Sequence, residues 1–236
     1  MARLLELLST TDVFSDAGTT PAVNDATVQQ WNDQSGSANH RTQGTAGNRP
    51  TFKTNILNSQ PILRFDGAGG GSDTLAGSMS SVAQPCTVAL VLKQNAAANQ
   101  VPAGGGTQAF LYDWSASAGK LNAGADVSFS VVPTDWNIIV YRLDGASSAV
   151  FVNKTKTTGN PGTNALGTNF TVGAWGSSGF EYAGDIAAVV VEDTALNDAG
   201  CEALSDELNA IYAVYAAASG TGKPFRRRST RFFTGR

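Results

Sequence analysis

"VQQWNDQSGSANHRTQGTAGNRPTF", residues 28–52, is the stretch on which the reading of the fold turns. It gathers Trp31, the chain's single histidine, His40, and a dense run of Asn, Gln, Asp, Ser and Gly. Three readings compete: a catalytic or metal site, a sugar-reading surface, or the scaffolding of a fold. Zinc needs several nitrogen or sulfur ligands, and neither a second histidine nor a nearby cysteine is present. Ser35, His40 and Asp33 match a hydrolase triad in composition, but no nucleophile elbow surrounds Ser35. Short polar side chains of this kind satisfy neighbouring backbone groups in Asx and Ser/Thr turns. The stretch therefore predicts an early strand and a long ordered loop whose polar residues are structural, with His40 as a hydrogen-bonding loop residue.

Outward from it, short apolar segments recur at 61–65 ("PILRF"), 87–93 ("TVALVLK"), 109–112, 127–132, 137–143 ("NIIVYRL"), 149–153, 170–175 ("FTVGAW") and 186–192 ("IAAVVVE"). Between them lie "GAGGGSD", "NAAANQVPAGGG" and "NPGTNALG", which are turn and loop chemistry. Regular short strands without intervening helices predict an antiparallel sandwich. One segment departs from this pattern. In "NDAGCEALSDELNAIYAVY", residues 197–215, apolar side chains at Cys201, Leu204, Leu208, Ile211 and Tyr215 fall three and four apart. That spacing lines one face of a helix, with Asn197 as its N-cap and Asp198 and Glu202 near the positive end of its dipole. A lone amphipathic helix after the last strand is expected to lie against the sandwich.

Composition narrows the function classes. Among 236 residues there are 26 glycines and few charges, a profile of many short strands. The two cysteines, Cys86 and Cys201, stand in apolar surroundings and form no C-x-x-C pair, so they read as buried small hydrophobes. No stretch approaches the roughly 20 apolar residues of a membrane helix. The start, "MARLLELLSTTDVF", turns polar too soon for a secretory leader, so synthesis in a cytoplasm is expected. The net charge of −3 conceals a division: six basic and no acidic residues lie from Lys223 onward. The preceding 222 residues hold the other ten basic and all 19 acidic ones, a net −9 against the tail's +6.

These features converge on a known pattern. Trp31, Asp33, Ser35, Gly36 and His40, then Arg49–Pro50, Arg64 to Gly67, Gly184 to Ala187 and Leu196 to Asp198 resemble the concanavalin A-like, laminin-G-like jelly-roll domains. The resemblance covers roughly residues 10–217 and implies an all-β, antiparallel two-sheet jelly-roll sandwich with one C-terminal amphipathic helix. It divides the chain into a jelly-roll domain, 1–218, and a basic C-terminal arm, 219–236. Stand-alone domains of this type are similar to structural proteins of tailed-phage virions. The expectation is a virion surface protein, a head decoration or fibre-like component made in the host cytoplasm. The alternative is a carbohydrate-binding module of a cell-surface or secreted system.

Candidate residues follow from these readings. Related glycosidases use an E-x-D-x-x-E strand, whereas the five glutamates here, at 6, 181, 192, 202 and 207, fit no such pattern. Glu181 and Asp185 lie roughly 13 Å apart along an extended strand, beyond the carboxyl separations of glycosidases. A non-enzyme is expected. Carbohydrate binding calls for aromatic platforms beside polar loops. "FLYDWSAS" offers Tyr112 and Trp114, and "AWGSSGFEY" offers Trp175 and Tyr182. The resemblance also implies a Ca²⁺ site near the F-D-G motif, for which Asp66 and Asp73 are the candidate ligands, separated here by a Gly-rich insertion. No other cofactor is expected. In the arm, Arg226, Arg227, Arg228 and Arg231 offer forks for carboxylates, and Phe225, Phe232 and Phe233 offer apolar anchors. The expected partner is a capsid or tail protein, or other copies of the chain in a homo-oligomer, rather than nucleic acid or a membrane, with a host glycan as a further ligand.

Overall fold

A computed structural model describes residues 2–67, 73–95, 100–105, 118–175 and 180–216, and the backbone of 108–112. Trp114, the segment 68–72 and the arm 219–236 lie outside the described residues. The strands run β1 (Arg3–Leu8), β2 (Val13–Phe14), β3 (Gln30–Trp31), β4 (Arg41–Thr42), β5 (Thr51–Leu57), β6 (Gln60–Asp66), β7 (Leu75–Ser78), β8 (Cys86–Gln94) and β9 (Gln100–Gly105). They continue as β10 (Gln108–Tyr112), β11 (Ala118–Asn122), β12 (Asp126–Ser130), β13 (Asn137–Leu143), β14 (Ala149–Val152), β15 (Thr155–Thr158), β16 (Asn169–Val172) and β17 (Ala183–Glu192). One helix, α1 (Asp198–Tyr212), follows. All eight apolar segments read from the sequence coincide with strands.

The strands form two antiparallel sheets. The first has the order β15-β14-β13-β8-β17-β6-β5, and the second β12-β11-β10-β9-β16-β7-β4-β3-β2. β17 carries two partners on one edge, β6 along its first half and β1 along its second. The "LLELL" of β1 therefore belongs to the fold, with Leu5 and Leu7 fully buried on one side. β9 was legible only as loop, because its Gly105 reads as a turn former. That glycine is needed where a side chain cannot fit, since a Cβ there would meet the Leu166 carbonyl at 2.3 Å.

The first sheet is covered on both faces. Cys86, Val88, Leu90 and Leu92 of β8 point between the sheets, among Trp31, Phe129, Phe170 and Val172. Ala89 and Val91 point the other way and join Ile138, Val140 and Val190 beneath Leu204, Leu208 and Tyr212 of α1. Double coverage explains why β8, β13 and β17 read as continuous apolar runs instead of alternating. The helix is capped as the sequence predicts, the Asn197 side chain accepting from the Gly200 N–H at 2.8 Å. Its buried face differs at the end. Tyr212 is fully buried and donates to the Ala187 carbonyl at 2.8 Å, whereas Ile211 is half-buried and Tyr215 lies beyond the left-handed cap at Ala213. Cys86 and Cys201 are free and buried on opposite faces of the sheet. Burial pushes their thiols up to about 12 and about 11 respectively.

The 28–52 stretch ties the two sheets together. Trp31 is fully buried and donates from Nε1 to the Leu8 carbonyl at 3.1 Å. The Asp33 carboxylate accepts from the amides of Glu6, Ser35 and Asn39 and from the Ser35 hydroxyl, at 2.8–2.9 Å. Asn39 donates to the Leu4 carbonyl at 2.7 Å, and His40 Nδ1 accepts from the Asp33 amide at 3.0 Å. The polar residues that raised the question of chemistry are the fastening of β1 to the second sheet.

Candidate functional site

Strand order places the candidate residues at one end of the sandwich, where β6, β8 and β10 finish and β9, β13 and β17 begin. Ala183 stands opposite Asp66, Gly184 opposite Gln94, Asn137 opposite Leu92, and Tyr112 opposite Gln100. Tyr112 is thus at this end by its backbone. Trp175 is half-buried over Val101 and lies 6.4 Å, centroid to centroid, from the ring of Phe180, tilted by 33°. Phe180 is 44% exposed, so the pair presents aromatic surface to solvent. Tyr182 is a correction to the sequence reading. It is fully buried, edge-on to Phe65 at 6.3 Å, because it shares the inward period of β17 with Ile186. It offers no platform.

The two calcium candidates meet despite the insertion between them. The Asp66 amide donates to Asp73 Oδ2 at 3.0 Å. Burial pushes the Asp73 carboxyl up from 3.8 to about 6, against the Asp66 amide bond, and the Asp66 charge adds to the rise. Asp73, buried, and Asp66, exposed, bring two carboxylates together among the described residues, where a Ca²⁺ shell takes six to eight oxygens. Among the described residues no group of three or more metal-capable side chains occurs. The folded-state value lies above the unfolded one, so Asp73 contributes stability that is complete below about pH 4 and lost as pH rises through about 6. Asp73→Asn keeps an acceptor for the Asp66 amide and removes the charge. It is expected to flatten this decline and to be about 1–2 kcal/mol more stable than the native chain at pH 7, discounted for partial solvation. Urea unfolding at pH 4 and pH 7 measures both, and parallel pH profiles would contradict the assignment.

Beside these groups lies an open groove of about 860 Å³ that sequence reading missed. Its lining includes Trp136, Lys93, Asp135, Ser130, Thr134 and Thr155. The β12–β13 connection positions Trp136: Asn137 donates to the carbonyls of Val132 and Asp135 at 2.9 and 2.8 Å, folding the turn back on itself. Asn153 donates to Asn137 Oδ1 at 3.1 Å and accepts from the Ile138 amide at 2.8 Å, pinning the β14–β15 hairpin to the same corner. Trp136 packs one side on the cluster beneath α1 and stays half-exposed. Val132, 55% exposed, extends the apolar strip. The available signal was "PTDWN", turn chemistry that sets a tryptophan at the mouth of an apolar strand. Along the same sheet, Arg64 holds Asp185 bidentately at 2.7 and 2.9 Å, and Lys93 is the next residue in register.

By sequence, no family model and no curated protein matches this chain. By structure it is similar to domain 4 of AbnA, a GH43 extracellular arabinanase from Geobacillus stearothermophilus, in complex with arabinotriose. The identity is 11%, over 86% of this chain and 98% of that one, at a TM-score of 0.56. It is also similar to a Trypanosoma rangeli sialidase in complex with sialic acid, 14% identical at a TM-score of 0.59, and to the binding domain of Paraclostridial Mosquitocidal Protein 1, 8% identical at 0.58. These likenesses show the fold. This chain is covered over 89% and 88% in the two latter cases, but spans only 33% of the sialidase and 52% of the toxin domain. All three share the two-sheet sandwich with it, and at these identities their ligands and activities remain their own.

Proposed function

We propose that this chain is a carbohydrate-binding module. The groove carries the proposal: a half-exposed indole, an apolar strip and a ring of hydroxyl, amide and charged groups, which is how proteins grip a sugar's apolar faces and hydroxyls. The arabinotriose and sialic acid complexes of two similar structures support it. Binding is favoured over hydrolysis because, among the described residues, the groove lining holds one carboxylate, Asp135, whereas glycoside hydrolysis uses a pair. Trp175 and Phe180 extend the aromatic surface at the same end. Trp136→Ala is expected to weaken glycan binding by about 2 kcal/mol or more, roughly thirtyfold, while the loss of the ring's packed side lowers stability by about 1–2 kcal/mol and leaves the chain folded. Screening the chain against immobilised glycans and repeating the leading ligands with the variant tests this. Equal binding by both proteins would exclude the groove.

A second reading sets the module on a phage virion, made in the host cytoplasm and held to a capsid or tail protein, or to its own copies, by the arm 219–236. The observation that favours it is the division between a −9 body and a +6 tail rich in Arg and Phe. A chain lacking residues 223–236 then folds but no longer joins the particle or oligomer. Assembly of that chain at native stoichiometry would remove the arm from consideration.

A further inference from the structure

We propose that the groove selects sugars bearing a carboxylate, an inference that rests on the carbohydrate reading above and names its ligand class. The argument begins with register. Asn137, which follows Trp136, pairs with Leu92, which precedes Lys93, across β13 and β8, and Trp136 and Lys93 both line the groove. A pyranose lying on the indole of Trp136 therefore brings its ring substituents within reach of the Lys93 ammonium.

The charges around Lys93 point the same way. Among the described residues Lys93 is the only basic one in the groove lining, it is half-buried, and it forms no ion pair. Two carboxylates stand near it. Asp185, its neighbour in register on β17, has both oxygens engaged by Arg64, whose own pKa is raised by that contact. Asp135 lies on the exposed rim of the lining, where solvent and salt screen it. The half-buried ammonium is screened less, so an anionic group entering the groove gains more from Lys93 than it loses to Asp135. The hydroxyls of Ser130, Thr134 and Thr155 remain for the sugar's own hydroxyls. An unpaired cation in the wall of an otherwise acidic body is a recognition element for an anion.

The test pairs each acid with its neutral counterpart: trigalacturonate with its methyl ester, and sialyllactose with lactose. Binding of the full chain is measured by calorimetry at low and at high salt. At least one acid is expected to bind about tenfold tighter than its neutral partner, with the gap narrowing as salt rises. Lys93→Met is expected to abolish the gap and Lys93→Arg to preserve it. The two pairs separate a uronic acid from a sialic acid as the source of the carboxylate. If acids and neutral partners bind equally, the acid selectivity is overturned and the carbohydrate reading stands. If the gap survives in Lys93→Met, Lys93 is not the recognition element and the inference fails. If no sugar binds the native chain, the carbohydrate reading fails with it.

Discussion

Replacing Asp33 with alanine is expected to lower the stability of the chain by about 4 kcal/mol, among the largest losses available to a single side chain here. The carboxylate is only 8% exposed and accepts four hydrogen bonds, from the Glu6, Ser35 and Asn39 amides and the Ser35 hydroxyl. Alanine leaves three backbone N–H groups without an acceptor in a place water reaches poorly, and each such orphan costs about 1–3 kcal/mol. Relaxation of the loop recovers part of that sum. The loss also crosses the sandwich, because Glu6 belongs to β1 in the first sheet while Trp31 and Arg41 flank Asp33 in the second. Asp33→Asn supplies a control. One amide oxygen serves the Glu6 and Ser35 amides, but the NH₂ group then faces the Asn39 amide, donor to donor, so about half the loss remains. Urea unfolding measures both variants. A loss below about 1 kcal/mol for alanine would show that the stretch does not fasten the sheets.

The elements that read correctly from sequence are those where local chemistry and global packing agree. Asn197 caps α1 because a short amide before a periodic apolar segment has one good use, and Leu204 and Leu208 are core because their spacing leaves no other face to bury. The Asp33 loop was legible for the same reason, as polar residues too few in kind for chemistry but well suited to turns. Misreadings arose where tertiary contacts decide. Tyr182 follows a Gly- and Ser-rich segment, which suggests exposure, yet the two-residue period of β17 turns it inward. Tyr212 falls outside the three-and-four spacing that runs through Ile211 to Tyr215, because the helix ends at Tyr212 and Ala213 caps it. The groove beside Trp136 is not legible because Lys93 of β8 and Asn153 beyond β14 complete its wall, and no single segment shows both. A fold is written locally and repeatedly along a chain. A groove is written once, in residues far apart.

Gly173→Ala is expected to cost about 3–5 kcal/mol, and two separable effects make up that figure. The first is conformational. Gly173 has φ +94°, in the left-handed half of the map, where an L side chain costs roughly 1–2 kcal/mol. The second is steric. A Cβ would stand 2.5 Å from the Asp73 carbonyl oxygen and 2.5 Å from Phe65 Cδ1, and neither can withdraw easily. Phe65 is fully buried against Tyr182, and the Gly173 backbone is held on both sides, its N–H donating to Pro102 at 2.8 Å and its carbonyl accepting from Tyr182 at 2.9 Å. Overpacking of this kind adds about 1–3 kcal/mol. Gly36 separates the two, since it has φ +86° but a Cβ there would meet nothing within 4 Å. Gly36→Ala therefore reports the conformational cost alone, about 1–2 kcal/mol, and the difference between the variants is the packing cost at Gly173. The position also links stability to binding. Gly173 leads directly into Trp175, so a chain that accommodates alanine by shifting this segment displaces the Trp175–Phe180 pair, while the Trp136 groove rests on β8, β13 and β14 and keeps its shape. Unfolding midpoints for the two glycine variants, with glycan binding measured on each below its midpoint, distinguish these consequences. Equal losses at Gly36 and Gly173 would mean that Phe65 and Asp73 yield to the added methyl group and that this end of the core is softer than its packing indicates.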